Sequence, residues 1–187
     1  MGRKSGESRY SRYNGKSSIK NQIYHIKKHQ EKQKMRLALF QPEIPQNTGT
    51  MIRMAACFGI AVDIIEPCGF VFDDRRLARS GMDYLHGAEI RRYISFESYM
   101  NEKPKGRLIL LTTKSSVPYT HFSFEKDDIL MMGRESSGVP EEVHQTVDAR
   151  LLIPMRKQFR SLNVAVSCGI VLGEAMRQTG LFDALSL

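Results

Sequence analysis

The chain has 187 residues, with 28 Lys and Arg against 20 Asp and Glu, and a formal net charge of +8. Three scattered cysteines without a Cys-x-x-Cys pair argue against a disulfide framework or a structural zinc site. No run of about eighteen apolar residues is present, so no transmembrane helix is predicted, and we expect a cytoplasmic protein that uses neither a membrane nor a metal.

The positive charge is concentrated at the start of the chain. Residues 1–34 contain ten Lys and Arg and two Glu, a net of +8, so the remaining 18 basic and 18 acidic residues of 35–187 cancel. The first stretch is poor in apolar residues and cannot bury enough surface to fold alone. We therefore divide the chain into a basic, flexible N-terminal extension (1–34) and one domain (35–187).

The composition of the extension allows more than one interpretation. Clustered cations with tyrosines between them suit an RNA-binding arm, whereas a solvated, functionally quiet tail or an upstream start site explains them equally well. A mitochondrial presequence is disfavoured because residues 1–18 have no apolar stripe, and Gly6 stands where myristoylation requires Ser or Thr. The sequence leaves the RNA arm and the quiet tail open.

From Met35 onward, short apolar runs alternate with helical patterns. The predicted strands are RLALF (36–40), AVDIIE (61–66), AEIRRYI (88–94), RLILLTT (107–113), DILMM (128–132) and ARLLIP (149–154). Helices are predicted near 48–58, 73–82, 95–102, 140–147 and 162–178. Strands that alternate with helices predict an α/β domain with a mostly parallel sheet flanked by helices.

Ligands of parallel sheets bind at the carboxyl ends of the strands. Four predicted strands end here in segments rich in Gly, Pro, Ser or Asn: QPEIPQNTG, LTTKSS, MGRESSGVP and IPMRKQFRSLN. In the third, Gly133 and Gly138 serve either to expose backbone groups to a polar ligand or only to permit positive φ, and Pro140 is expected to begin a helix. The segment is neither a dinucleotide fingerprint nor a phosphate loop. A candidate site is therefore predicted at this edge of the sheet.

The last helical pattern has clear signals at both ends. Ser161 is expected to cap the helix and Gly180 to end it. Between them, Ala165, Gly169 and Gly173 recur every fourth residue and leave a stripe with almost no side chain. This stripe predicts the close approach of another backbone, either within the fold or across a dimer interface.

No Ser-His-Asp or Cys-His arrangement and no spaced pair of carboxylates stands out in the sequence. Taken together, however, five segments resemble the SPOUT-class RNA 2′-O-ribose methyltransferases, in particular the TrmL type that modifies the tRNA wobble nucleotide. The segments are PEIPQNTGTMIRMAACFG, IIEPCGFVFDDRRLARSGMDY, LTTKSS, MGRESSGVPEEV and IPMRKQFRSLNVAVSCGIVLGEAMRQ. They run in order over 35–183, and the resemblance is specific because five separate motifs coincide.

The resemblance implies that the α/β domain ends in a deep trefoil knot, one of the rare exceptions to the rule against knotted chains. It implies that S-adenosylmethionine binds in this knot. The positions that it implies for cofactor binding are Leu111, Gly133, Ile153, Ser161 and Leu162. It also implies a homodimer through the C-terminal helix, which would explain the stripe of small residues.

Arg53 aligns with the arginine that this family places at the reacting centre. Because arginine is effectively never neutral in a protein, we expect its guanidinium to orient the ribose 2′-hydroxyl and stabilise the developing alkoxide. Asn47, Glu135 and Asn163 fall on motif positions around the pocket, and the resemblance implies that they bind the RNA substrate.

Two positions depart from the TrmL pattern: Val166 stands where many relatives have a second Asn, and Gly173 where an aromatic is common. We expect S-adenosylmethionine-dependent 2′-O-methylation of a ribose in RNA, with the wobble cytidine or modified uridine of tRNA as the favoured target. The alternatives are another tRNA position, ribosomal RNA, or a catalytically silent RNA-binding module of the same fold.

Overall fold

The structure is a computed structural model that describes residues 35–71 and 87–185. The basic extension (1–34) and the helix predicted near 73–82 lie outside the described residues. Within the described ranges, no helix is long and apolar enough to cross a membrane.

Six parallel strands form one sheet in the order β3-β2-β1-β5-β4-β6. The strands are β1 (Arg36–Phe40), β2 (Ala61–Ile65), β3 (Ile90–Tyr93), β4 (Leu108–Leu111), β5 (Ile129–Met132) and β6 (Ala149–Leu151). The main helices are α1 (Pro45–Phe58), α2 (Phe96–Glu102), α3 (Glu141–Thr146) and α4 (Val164–Thr179). The predicted α/β class and all six predicted strands are confirmed, although most strands are one to three residues shorter than predicted.

Helices cover both faces of the sheet. On one face α1 packs with α4, and Met51, Ile52 and Val171 join one cluster of buried side chains. On the other face α2 and α3 contribute Tyr99 and Val143 to a second cluster. A sheet that is buried on both faces needs apolar side chains in both directions, which explains why its strands are nearly continuous apolar runs.

A charged pair is buried at the amino end of the sheet. The Arg36 guanidinium donates to both carboxylate oxygens of Asp63, from Nε at 2.9 Å and from Nη2 at 2.6 Å. Burial opposes the charged form of Arg36, but hydrogen bonding and the charge of Asp63 outweigh it and raise the Arg36 pKa above its usual value. Because Asp63 is fully buried, its two hydrogen bonds from Arg36 offset part of the cost of burying a carboxylate.

The connection from β4 to β5 passes along the outer edge of β6. One edge of β6 pairs with β4. On the other edge the Ser115 hydroxyl donates to the Arg150 carbonyl at 2.6 Å. Leu152 N–H donates to the Val117 carbonyl, and Tyr119 N–H donates to the Leu152 carbonyl, both at 2.9 Å. The connection therefore passes outside β6 before it returns to β5, on the inner side of β4.

The ends of the helices correct some predicted boundaries. α1 begins at Pro45 rather than near residue 48, because the fixed φ of proline suits the first helical position. Pro140 is the N-cap of α3 and not its first residue, which is Glu141. The predicted C-terminal end of α4 is confirmed, since Gly180 ends that helix in the left-handed region at φ 67°.

Candidate active site

Three of the residues predicted to bind the cofactor follow neighbouring strands. Leu111 is the last residue of β4, Gly133 directly follows β5, and Ile153 lies two residues after β6. Leu111 is in register with Met132 of β5 and Leu151 of β6. The carboxyl ends of β5, β4 and β6 therefore form one continuous rim, which is where parallel sheets bind their ligands.

Gly133 is needed for the close approach of two backbone segments. A Cβ at this position would lie 2.9 Å from the carbonyl carbon of Gly138 and 3.0 Å from its Cα. Two hydrogen bonds close the loop. Arg134 N–H donates to the Gly138 carbonyl, and Gly138 N–H donates to the Arg134 carbonyl, both at 3.0 Å. Of the two expectations for these glycines, positive φ holds for Gly138 alone, at 68°. The loop is a closed turn with its backbone at the rim.

Asn47, Glu135 and Asn163 form one chain of hydrogen bonds. Asn47 Nδ2 donates to Glu135 Oε1 at 3.2 Å, and Asn163 Nδ2 donates to Asn47 Oδ1 at 2.9 Å. The first pair is separated by 88 residues along the chain and the second by 116. The structure thus brings the three predicted substrate-binding residues together, while their contact with RNA stays a prediction.

A second group of bonds joins the loops after β1 and β5. Glu43 N–H donates to Glu135 Oε2 at 2.9 Å, and the Glu43 carboxylate accepts from Ser136 N–H and Ser136 Oγ, both at 2.8 Å. These bonds from Ser136 lower the pKa of Glu43, because they stabilise its charged carboxylate. Neither Glu43 nor Ser136 was predicted from the sequence. Both lie in the Gly-, Pro-, Ser- and Asn-rich segments at the strand ends, but neither carries a signal of its own.

Asn163 also caps the long helix α4. Its Oδ1 accepts from the N–H of Ala165 at 2.9 Å and from the N–H of Val166 at 3.3 Å. The prediction that Ser161 is the cap is wrong, because Asn163 occupies the position directly before the helix. Ser161 and Leu162 are exposed in the segment before α4, and their contact with the cofactor stays a prediction.

Arg53 lies on a different side of α1 from Asn47. It shares the exposed face of the helix with Gln46, Thr50 and Cys57, which recur at spacings of three and four residues. Asn47, by contrast, is partly buried against the loops after β5 and β6. A substrate that reaches Arg53 must therefore cover the exposed face of α1.

The small residues of the α4 stripe have different surroundings: Gly169 faces another helix of the fold, whereas Gly173 faces open space in the described part of the chain. A Cβ at Gly169 would lie 3.4 Å from Sδ of Met54 on α1, whereas no described atom lies within 4 Å of a Cβ built at Gly173. Beside Gly173, the exposed face of α4 carries Val166, which is 51% exposed, and Ile170, which is 36% exposed. Gly169 thus serves helix packing within the chain, and Gly173 keeps an exposed apolar strip flat.

The described site offers hydrogen-bonding groups and a cation. Within residues 35–71 and 87–185, no group of three or more His, Cys, Asp or Glu side chains could hold a metal ion. The amides of Asn47 and Asn163, the Glu135 carboxylate and the Arg53 guanidinium can orient a polar substrate and stabilise a developing negative charge. Such a set suits a group transfer in which positioning supplies most of the acceleration.

Known proteins share this fold and these segments. A tRNA (cytidine(34)-2′-O)-methyltransferase of Beijerinckia indica is 56% identical over 146 residues, which make up 77% of this chain and 91% of that relative. A solved structure concerned with 2-OH methylation of C/U34 on tRNA has a TM-score of 0.73 and 37% identity, covering 78% of this chain and 96% of that one. An AdoMet-bound rRNA methyltransferase from Sinorhizobium meliloti has a TM-score of 0.70 and 27% identity, covering 82% and 57%.

The similarity includes the whole candidate site. The profile of the SpoU rRNA Methylase family matches residues 34–173, a range that contains every predicted site residue and begins at the end of the basic extension. The predicted resemblance to RNA methyltransferases is therefore confirmed, and the chain belongs to the SpoU rRNA Methylase family.

Proposed function

We propose that the chain is an S-adenosylmethionine-dependent methyltransferase that modifies the ribose 2′-hydroxyl of nucleotide 34 in tRNA. Relatives that are 56% and 48% identical to this chain are named for this reaction on cytidine 34. The observation that carries the proposal is the hydrogen-bonded chain of Asn47, Glu135 and Asn163, which joins the first turn of α1 to the segments after β5 and β6 at one rim of the sheet.

The rim at β5, β4 and β6 fits the cofactor. The close approach at Gly133 leaves no room for a side chain, so backbone forms this part of the rim, and backbone amides and carbonyls suit an adenosine and an amino-acid tail. Leu111, Gly133 and Ile153 would hold the cofactor at this rim, with Ser161 and Leu162 in the segment that follows. When bound, S-adenosylmethionine supplies an electrophilic methyl group on a sulfonium.

Arg53 acts on the acceptor ribose. Because its guanidinium stays protonated, it cannot take the proton of the 2′-hydroxyl. It orients the hydroxyl and stabilises the negative charge that develops on the oxygen, while an RNA phosphate or solvent accepts the proton. The exposed face of α1, on which Arg53 lies, is accessible to a large substrate such as tRNA.

The hydrogen-bonded chain around Asn47 holds the loops in place. Asn163 uses Oδ1 on the backbone of α4 and Nδ2 on Asn47, so its amide is fixed at both ends. Glu135 accepts from Asn47 and from Glu43 N–H, and its remaining lone pairs can accept from a ribose hydroxyl. Since catalysis by positioning depends on distances between reacting atoms, the rigidity of these loops contributes directly to the rate.

We infer that the C-terminal segment forms the trefoil knot. The connection from β4 to β5 passes outside β6, where it bonds to Leu152, whereas α4 packs against α1 on one face of the sheet. The chain from Leu152 to Val164 leads from the edge strand β6 to α4, and we infer that it passes inside this connection. That passage supports a threaded chain.

A homodimer through α4 is the proposed assembly. The strip formed by Val166, Ile170 and Gly173 is apolar and flat, and a two-fold interface brings one surface against its own copy. Two of these residues are the departures from the TrmL pattern, and both make the strip less polar or smaller. This agrees with a surface that is covered by another helix.

Methyl transfer to defined tRNA tests the proposed function. The full-length chain is incubated with methyl-labelled S-adenosylmethionine and a tRNA transcript that has cytidine at position 34. The control transcript carries 2′-deoxycytidine at that position and lacks the acceptor hydroxyl. We expect label in the first transcript alone. Equal label in both would place the target elsewhere, and RNA binding without any transfer would indicate a silent module.

A further inference from the structure

Phe159 is the most exposed aromatic side chain among the described residues. Its side chain is 64% exposed, and within the described ranges its ring contacts no other aromatic ring. Phe182, also exposed, packs edge-on against Phe58 with ring centroids 5.7 Å apart. An aromatic ring that the fold leaves uncovered is available to a partner.

The residues around Phe159 are cationic. Arg156, Lys157 and Arg160 are exposed, and no ion pair joins any of them to another residue of the described chain. The sequence has no Asp or Glu between Asp148 and Glu174, so no nearby carboxylate in this segment offsets them. The segment 156–160 is therefore a site of concentrated positive charge with an uncovered ring in its middle.

This segment has a defined shape and a defined place. Phe159 N–H donates to the Arg156 carbonyl at 3.0 Å, which closes a turn. Asn163, four residues later, is bonded to Asn47 in the candidate active site. Because an extended chain spans at most about 3.6 Å per residue, the Cα of Phe159 lies within roughly 14 Å of the Cα of Asn163. The ring of Phe159 therefore lies beside the end of the candidate site that Asn163 forms.

We propose that Phe159 is a stacking platform for a base that flanks the methylated nucleotide, and that Arg156, Lys157 and Arg160 hold the neighbouring phosphates. This inference rests on the proposed function, because it takes the bound RNA from it. Aromatic rings bind unpaired bases by stacking, and cations bind the backbone that joins them. An anticodon loop offers both groups in single-stranded form, and the segment therefore recognises a splayed loop rather than a duplex.

Two other occupants of the Phe159 ring fit the charges less well. A second copy of this chain would bring the same three cations to a two-fold interface, where like charges repel. S-adenosylmethionine has a sulfonium, an ammonium and one carboxylate, so it is a net cation at neutral pH and complements three more positive charges poorly. RNA is the occupant whose charge is complementary to the segment.

The first test compares variants of the ring. Phe159→Ala, Phe159→Tyr and Phe159→Leu are assayed for affinity to the tRNA transcript with cytidine 34 and for single-turnover methyl transfer. Ile94→Ala is the matched control, because Ile94 is 82% exposed and follows β3, at the opposite edge of the sheet from β6. We expect Phe159→Ala to weaken tRNA affinity roughly 5- to 100-fold, since stacking typically contributes that much per base.

The pattern across these variants separates stacking from simple loss of apolar surface. Phe159→Tyr, which keeps the ring, should bind tRNA like the wild type, whereas Phe159→Leu should resemble Phe159→Ala. Affinity for S-adenosylmethionine and the native mass should be unchanged in all four variants. If Phe159→Ala bound tRNA like the wild type, or if it lost cofactor affinity or dimer mass instead, the assignment of the ring to RNA would be overturned.

The second test addresses the cations through salt dependence. Arg156→Gln, Lys157→Gln and Arg160→Gln should each reduce the slope of log affinity against log salt by about 0.7, the value for one single-strand phosphate contact. Lys126→Gln is the control, because this exposed lysine precedes β5 at the opposite end of the strands. Equal slopes for all four variants would overturn the phosphate contacts. Failure of the wild type to methylate tRNA would instead refute the proposed function.

Discussion

Asn163 performs two tasks that substitution can separate. In Asn163→Ala, α4 loses its cap to the N–H of Ala165 and Val166, which costs about 1 kcal/mol, and the bond to Asn47, which costs about 0.5–1 kcal/mol at a partly exposed site. In Asn163→Asp, the carboxylate still caps the helix, but it has no N–H to donate to Asn47. Asn47 would then face carboxylates at 135 and 163.

We expect Asn163→Ala to lower the free energy of unfolding by about 1.5–2 kcal/mol and Asn163→Asp by about 0.5 kcal/mol. Each kcal/mol corresponds to roughly 2–4 °C in melting temperature for a domain of this size. Both variants should slow methyl transfer roughly 10- to 100-fold, because the segment after β6 is no longer tied to the first turn of α1 and small displacements of reacting groups are costly.

Urea unfolding and single-turnover transfer at saturating tRNA measure the two effects independently. Asn163→Ser is a useful third variant, since serine also caps helices but is too short to replace the amide that reaches Asn47. If Asn163→Asp were as unstable as Asn163→Ala, the cap would not be the source of stability. If Asn163→Asp transferred methyl groups at the wild-type rate, the bond to Asn47 would be irrelevant to catalysis.

Four further predictions concern other parts of the chain. Arg53→Ala should leave folding and cofactor affinity unchanged and lower the single-turnover rate by a factor of roughly 10²–10³, and Arg53→Lys should also be slow. A near-wild-type rate for Arg53→Ala would show that Arg53 is only a surface residue. Gly173→Leu should give a folded monomer by native mass spectrometry, because a Cβ there meets no described atom within 4 Å; an intact dimer would move the interface elsewhere. Arg36→Met should lower the free energy of unfolding in urea by about 3–5 kcal/mol, because it leaves Asp63 buried and unpaired. Adding Asp63→Leu should recover much of that loss, and additive losses for the two substitutions would contradict the pairing. Deleting residues 1–34 should weaken tRNA binding and flatten its salt dependence without changing cofactor affinity, and unchanged binding would favour the quiet tail.

The elements of the fold could be predicted because their signals are local. Apolar runs bounded by Gly and Pro located every strand, and the parallel arrangement followed from the helices between them. The boundaries were less accurate where two residues compete for one role. The sequence around Pro45 is compatible both with a loop and with the first residue of α1. Ser161 and Asn163 are both residue types that cap helices well. The geometry of the segment before α4 decides between these two residues, and the sequence does not contain that geometry.

The candidate site could be predicted only in part, because its contacts are not local. The residue types at the strand ends indicated where a ligand binds, and the resemblance to a family selected Asn47, Glu135 and Asn163 among them. That these three residues bond to one another depends on the order of the strands, which brings the ends of β1 and β5 together. The role of Gly133 was likewise hidden, because the atom that excludes its side chain belongs to Gly138.

The separation of the bonded partners along the chain sets the time at which activity can appear during synthesis. Glu135 follows Asn47 by 88 residues, and Asn163 follows it by 116. On the ribosome, the first of these residues is exposed long before the last has been translated, and the cap on α4 needs still later residues. A nascent chain therefore emerges from the ribosome without the bonded site, which can form only after the first turn of α4 has been translated.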